Sequence, residues 1–97
     1  MATLHVVSSS PFTDSHLSSC LRTLGPDDGV LLCGEAVQGL RAGSAWAQRL
    51  QQVPSAQLYA LSEDCLARGL SEVAATQVDY PAFVELSLAY QRVNTWM

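Results

Sequence analysis

Lysine is absent from this chain, so its positive charge rests on arginine alone. The five cations are spread along the sequence, the charged fraction is only 14%, and the net charge is −4. Direct nucleic-acid binding needs a basic patch that neutralises several phosphates, and the sequence supplies none. A typical soluble domain is about 25% charged. The low value suggests a surface covered by another subunit, although a small apolar monomer would have the same composition.

The motifs that usually mark catalysis or cofactor binding are also missing. GxGxxG, GxxxxGK[ST], GxSxG and HExxH do not occur, and no two carboxylates stand out as general acid and base. Ser8–Ser10 could cradle a phosphate, but no glycine-rich turn follows and Pro11 removes one amide. His5 and His16 share no metal-type spacing. We therefore predict neither a cofactor nor a bound metal.

Cysteine is scarce and widely spaced. The chain has three cysteines: Cys20, Cys33 and Cys65. Because this number is odd and the spacings are wide, a disulfide framework is not expected. No CxxC pair exists, which argues against a thioredoxin-type redox site and a zinc knuckle. No apolar run approaches about 18 residues, and the N-terminus lacks the signal-peptide pattern. Free thiols without a signal peptide predict the reducing cytoplasm and no membrane association.

One stretch, Leu58–Leu70 (LYALSEDCLARGL), combines a buried strand with a short helix. Its first four residues are apolar without alternation, as in a strand covered on both faces. Ser62 is predicted to cap the helix, and two acidic residues follow where the helix dipole is positive. Arg68 lies in the last turn, and Gly69 can end the helix in the left-handed conformation. This unit is typical of a parallel α/β sheet.

Similar units along the chain predict the order β-α-β-α-β-α-β-α. The predicted strands are Thr3–Val7, Val30–Cys33, Leu58–Leu61 and Thr76–Asp79. The other predicted helices run from Thr13 or Asp14 to about Leu24, from Ser44 to about Val53, and from Pro81 to about Val93. The connections are long enough for parallel crossovers, and right-handed crossovers place helices on both faces. We predict the α/β class: a single compact three-layer domain over residues 1–97, with a mostly parallel sheet of about four strands.

Two side chains can be interpreted in more than one way. Cys20 lies on the apolar stripe of the first predicted helix, which favours a core thiol. It is also near the helix C-terminus, where the dipole disfavours a thiolate, although Arg22 could offset that effect. Trp96 lies in a tail beyond the last predicted helix, and it can dock either on its own domain or on a neighbour.

Five segments, in order over nearly the whole chain, carry a family pattern. They are Thr3–Phe12 (TLHVVSSSPF), Gly29–Val37 (GVLLCGEAV), Tyr59–Leu70 (YALSEDCLARGL), Val78–Leu86 (VDYPAFVEL) and the C-terminal Trp96. Together they resemble the DsrH/TusB family of small sulfur-relay subunits. The resemblance implies a DsrE-like fold and a heterohexamer with two related small α/β subunits, TusC/TusD-like or DsrF/DsrE-like, in two copies each.

In that family, upstream and downstream carriers exchange persulfide sulfur through the complex. The tRNA branch delivers it to the 2-position of the wobble uridine, and the other branch serves dissimilatory sulfur oxidation. The principal carrier cysteine belongs to the DsrE/TusD-type partner. Some members have a cysteine in the first helix, with which Cys20 aligns in SSCLRTLGPDD. The resemblance thus makes Cys20 a candidate persulfide acceptor, with a retained core residue as the alternative.

These observations predict a non-catalytic or accessory subunit of a sulfurtransferase complex for tRNA 2-thiolation. A subunit of sulfur oxidation is the first alternative, which Cys20 favours. A small α/β interaction domain without sulfur chemistry is the second. None of the three predicts direct contact with nucleic acid.

Overall fold

The computed structural model describes residues 2–70 and 73–96, apart from the side chain of Ser55. Its strands are β1 (Thr3–Val7), β2 (Gly29–Leu32), β3 (Leu58–Leu61), β4 (Thr76–Val78) and β5 (Arg92–Trp96). Its helices are α1 (His16–Thr23), α2 (Ala45–Leu50), α3 (Ser62–Ala67) and α4 (Tyr80–Ala89), with 3₁₀ segments at Gly34–Leu40 and Ser55–Gln57. Among these residues, no helix is long and apolar enough to cross a membrane.

The five strands form one sheet in the order β4-β3-β2-β1-β5, and every neighbouring pair is parallel. The predicted α/β class with a parallel sheet is confirmed. The sheet has five strands where about four were predicted, because the last helix ends at Ala89 rather than near Val93, and Arg92–Trp96 forms a fifth strand. This strand pairs along the whole of β1, from Thr3↔Arg92 to Val7↔Trp96. Tertiary pairing has overridden the helical spacing of its apolar residues.

The direction in which the chain crosses the sheet explains where the helices lie. From β1 to β4 each step goes the same way, so right-handed crossovers put α1, α2 and α3 on one face. The step from β4 to β5 goes back past β1, which puts α4 on the other face. The larger core lies under the first three helices and includes Val7, Leu17, Leu32, Leu50 and Leu58. The smaller core has Leu4, Val6 and Leu31 beneath Phe83 and Leu86 of α4 and beneath Tyr90, which follows this helix.

The helix ends follow the predicted capping in part. Ser44 caps α2, because its Oγ accepts a hydrogen bond from the amide of Ala47 at 3.0 Å. Gly69 ends α3 with φ +70°, as predicted. Ser62, however, is not a cap: strand β3 runs directly into α3, so Ser62 is its first residue and its hydroxyl donates to Glu63 Oε1 at 3.1 Å.

Candidate functional site

The sequence singled out Cys20, and the structure places it on the inner face of α1. Its exposed fraction is 0%, and it belongs to the larger core together with Leu17 and Val7. The helix ends three residues later at Thr23, whose hydroxyl donates to the Cys20 carbonyl at 2.9 Å. The sulfur therefore lies inside the protein and near the negative end of the helix dipole.

This environment keeps the Cys20 thiol protonated. Burial, with a further contribution from the negative charge of Asp28, raises the pKa of Cys20 to about 12. At pH 7 the protonated thiol is therefore strongly favoured at this position. The nucleophile in sulfur transfer is the thiolate, so this environment does not activate Cys20. Arg22, which might have favoured a thiolate, is exposed, with Nη2 3.5 Å from Ser19 Oγ.

A polar cluster lies on the same side of the sheet as Cys20. His5 is buried at 6% exposure, and its Nε2 lies 3.4 Å from Asp28 Oδ2. Its Nδ1 lies 3.1 Å from Nε1 of Trp96. An indole N–H can only donate, so Nδ1 must be the acceptor and Nε2 must carry the proton that faces Asp28. This assignment of the neutral tautomer follows from the hydrogen-bond network.

Asp28 connects this cluster to the turn before β2. Its Oδ1 accepts from the amide of Thr3, and its Oδ2 accepts from the amide of Gly25, both at 2.9 Å. These two hydrogen bonds, with a smaller contribution from His5, lower the pKa of Asp28. The negative charge of Asp28 is in turn the second cause of the raised Cys20 pKa. The cluster therefore fixes the fold and opposes, rather than assists, a thiolate at Cys20.

The other two thiols are also unactivated. Cys33 follows β2 and is half-buried, with its Sγ 3.7 Å from the Val7 carbonyl. Cys65 is buried in α3. Burial, followed by the charge of Asp64, raises the pKa of both thiols, and Arg68 only partly counteracts this at Cys65. Low-pKa, partly exposed cysteines are the reactive ones, so neither thiol has the properties of a sulfur carrier.

Two of the segments that carry the resemblance meet at the carboxyl ends of β2 and β3. Asp64 Oδ2 accepts from the amide of Gly34 at 2.7 Å. Arg68 donates to Glu35 Oε1 from Nε at 3.1 Å and from Nη2 at 2.7 Å. Gly34 has φ +53°, and a Cβ there would lie 3.1 Å from the Ser8 carbonyl oxygen. This network joins the first 3₁₀ segment to α3. The sequence reasoning missed it, although the opposite charges of Glu35 and Arg68 were a signal.

In residues 2–70 and 73–96, no three His, Cys, Asp or Glu side chains converge as a metal site would require. The described residues therefore contain a buried core that includes two of the thiols, a cluster of His5, Asp28 and Trp96, and a hydrogen-bonded network that joins the first 3₁₀ segment to α3. None of these arrangements contains an activated nucleophile.

Comparison with known proteins agrees with the sequence pattern. The family model of DsrH-like protein matches residues 9–93. Protein TusB of Erwinia tasmaniensis is 38% identical over 96 residues, covering 96% of this chain and 99% of that protein. Protein TusB of Escherichia coli O139:H28 and of Shigella boydii serotype 18 are each 30% identical over the same coverage. The chain therefore belongs to the DsrH/TusB family of small sulfur-relay subunits.

Proposed function

We propose that this chain is an accessory, non-catalytic subunit of a cytoplasmic sulfur-relay complex that serves 2-thiolation of the tRNA wobble uridine. Relatives that match along nearly their whole length carry the name TusB. In the family resemblance this name goes with the tRNA branch, and it therefore supports that branch here. The observation that carries the accessory role is the complete burial of Cys20, together with the raised pKa of all three thiols.

The chemistry of persulfide transfer supports this division of labour. A thiolate of the acceptor attacks the outer sulfur of the donor persulfide, and the donor leaves as a thiolate. Such a step needs an exposed, ionised cysteine on the acceptor. The environment of each cysteine in this chain favours the protonated thiol, and two of the three are buried, so a thiol on a partner subunit carries the sulfur. The chain contributes the surface that holds this partner in place.

The distribution of cations supports an indirect link to tRNA. Arg68 is paired with Glu35, and Arg41 donates to Gln38 Oε1 and to the Arg68 carbonyl. The guanidinium of Arg49 stacks on the Trp46 ring at 4.6 Å. Each of these three guanidinium groups already has a partner within the chain, which leaves less positive charge for a phosphate backbone. Contact with tRNA therefore falls to other proteins of the relay.

One observation favours a second candidate. Cys20 occupies the first-helix position at which some family members have a cysteine, and this feature favours a subunit of sulfur oxidation in which Cys20 accepts persulfide. In that case the assembled complex must open the α1 side of the core and lower the pKa of the thiol. The two candidates differ in a measurable property, namely whether Cys20 gains sulfur when the complex is loaded.

The decisive experiment purifies the complex from the native host and loads it with a persulfide donor. Peptide mass spectrometry then locates each added sulfur atom. We expect the label on a partner cysteine and an unmodified Cys20. Labelling of Cys20 at a yield comparable to the partner would refute the accessory role and support the second candidate. The control is the Cys20→Ser chain, in which labelling of the partner should persist.

A deletion strain distinguishes the two branches. Loss of the gene should lower the 2-thiouridine content of tRNA hydrolysates, and both the wild-type chain and Cys20→Ser should restore it. Normal tRNA thiolation with impaired sulfur oxidation would favour the other branch. If both processes are unaffected, the chain is an interaction domain without a role in sulfur chemistry.

A further inference from the structure

Helix α4 has apolar side chains around most of its circumference, although the sheet covers only one side of it. Its ten residues, YPAFVELSLA, contain one charged side chain, Glu85. Phe83 and Leu86 face the sheet, whereas Val84 and Leu88 point outward with exposed fractions of 51% and 80%. Across Tyr80–Ala89, all of which the structure describes, no residue is fully buried. A helix that is apolar all round belongs inside a larger structure.

Four exposed, large apolar side chains lie on this side of the sheet. Tyr80, Val84 and Leu88 recur every fourth residue and so lie on one stripe of the helix. Val93, exposed at 44%, is the register partner of Leu4, so its side chain lies on the same side of the sheet. We call these four residues the α4 face. Within the described ranges, α4 is the one helix on this side, and the other described residues leave between 44% and 80% of each of these four side chains exposed.

We propose that the α4 face docks a non-identical small α/β subunit of the relay complex, which presents an apolar surface with a cationic side chain opposite Glu85. The class of partner rests on the proposed function, while the surface and its chemistry are new. Burial of large apolar side chains supplies the affinity of such an interface, and a charge pair fixes its orientation.

The single charge argues against a second copy of this chain as the occupant. In a two-fold symmetric dimer each residue near the axis meets its own copy. The stripe is centred on Val84, so such an axis would bring two Glu85 carboxylates together in a desolvated interface, which is unfavourable. The chain could not compensate from this surface, because it has no lysine, and Arg92 pairs in register with Thr3 on the opposite side of the sheet.

A membrane surface is also a poor match. Helices that lie on lipid usually have lysine or arginine on the polar side, facing anionic headgroups. Helix α4 has no cation, and its exposed side chains include large apolar groups and one carboxylate, that of Glu85. A protein surface with a complementary cation fits these features better.

The test uses the full chain with the TusC-like and TusD-like subunits of the same genome, measured by light scattering and by titration of the purified partner pair. Leu88→Glu should weaken the association about tenfold or more, because it places a charge in the interface. The matched control is Leu66→Glu. Leu66 is 79% exposed, is also the second-last residue of its helix, and lies on the other side of the sheet. Leu66→Glu should leave the affinity unchanged, and the thermal unfolding midpoints of both variants should match.

The charge is tested separately through Glu85. Glu85→Lys should weaken the association with the partner pair more than Glu85→Gln does. Glu85→Gln should also make the affinity less dependent on salt concentration. Asp27→Asn, which neutralises an exposed carboxylate of the turn before β2, should retain the salt dependence of the wild type. Equal responses of the Glu85 and Asp27 variants would contradict the predicted cation opposite Glu85.

Each remaining outcome is decisive. If Leu66→Glu disrupts the complex and Leu88→Glu does not, the docking surface lies elsewhere while the proposed function stands. If the chain alone forms a dimer that Leu88→Glu dissociates, a second copy occupies the face and the proposal is wrong. If the wild-type chain binds neither partner, the proposed function fails, and this inference fails with it.

Discussion

Trp96 and His5, 91 positions apart in the sequence, are joined by a hydrogen bond of 3.1 Å from the indole Nε1 to the imidazole Nδ1. Their ring centroids are 6.1 Å apart with the planes tilted by 38°. The bond fastens the last strand to the first, beside the backbone pairing of Val7 with Trp96. The other ring nitrogen of His5, Nε2, faces the Asp28 carboxylate, so both nitrogens of this buried histidine have a hydrogen-bond partner.

Trp96→Phe should therefore destabilise the protein. Phenylalanine keeps an aromatic ring but cannot donate, so the buried Nδ1 of His5 loses its partner, at a cost of about 1–3 kcal/mol. Urea denaturation followed by circular dichroism measures this loss. Trp46→Phe is the control, since Trp46 is half-buried against the same core and stacks on Arg49 through its ring face. Equal losses in both variants would show that ring size, and not the hydrogen bond, accounts for the effect.

The stability of the protein should decrease in acid because of Asp28. Hydrogen bonds from Gly25 and Thr3 lower its pKa in the folded state below the ordinary value of 3.8. A depressed carboxylate stabilises the fold fully above its unfolded pKa and loses that contribution as the pH falls through its folded pKa. Asp28→Asn should therefore be less stable than the wild type at pH 7, and the difference should shrink below about pH 4.

Asp14→Asn is the matched control for this pH dependence. The pKa of Asp14 is also lowered, chiefly by the amide of His16, but its carboxylate is exposed, so water can replace the lost acceptor. Unfolding free energies measured from pH 7 down to acid should separate the two variants. A larger loss at pH 7 for Asp14→Asn than for Asp28→Asn would contradict the role assigned to the Asp28 cluster.

The sequence predicted the parts of the fold that depend on local pattern. The apolar runs at Leu58–Leu61 and Val30–Leu32 lie in mostly buried strands, as their lack of alternation indicated. Cys33, which was predicted to end the second of these strands, follows it instead and is half-buried. Strand β5 was missed because its residues are mostly exposed and its conformation is due to pairing with β1. The same kind of long-range contact joins His5 to Asp28 and Trp96. The family pattern included His5 within the segment Thr3–Phe12, but it gave no indication of the partners of this histidine.

The contacts of Gly34 should matter more than the neighbouring ion pair. Asp64→Ala leaves the Gly34 amide without its acceptor, which should cost about 1–3 kcal/mol. Gly34→Ala should cost a similar amount, because alanine is strained at φ +53° and its Cβ would press on the Ser8 carbonyl. Glu35→Ala removes only the exposed partner of Arg68, so we expect at most about 1 kcal/mol. Urea denaturation gives all three values, and the reverse order would contradict this ranking.

The reactivity of Cys20 links the structure most directly to the proposed function. A pKa raised from 9.0 to about 12 lowers the thiolate fraction near pH 8 by about a thousandfold, and burial of the sulfur slows alkylation further. Iodoacetamide labelling followed by peptide mass spectrometry should therefore modify Cys20 at least about a thousandfold more slowly in the folded chain than in urea. The half-buried Cys33 serves as the internal reference and should react first in the folded chain. Equal rates of labelling for Cys20 in the folded chain and in urea would show that α1 opens readily. Cys20 would then be accessible to a persulfide donor, and this result would support the acceptor role.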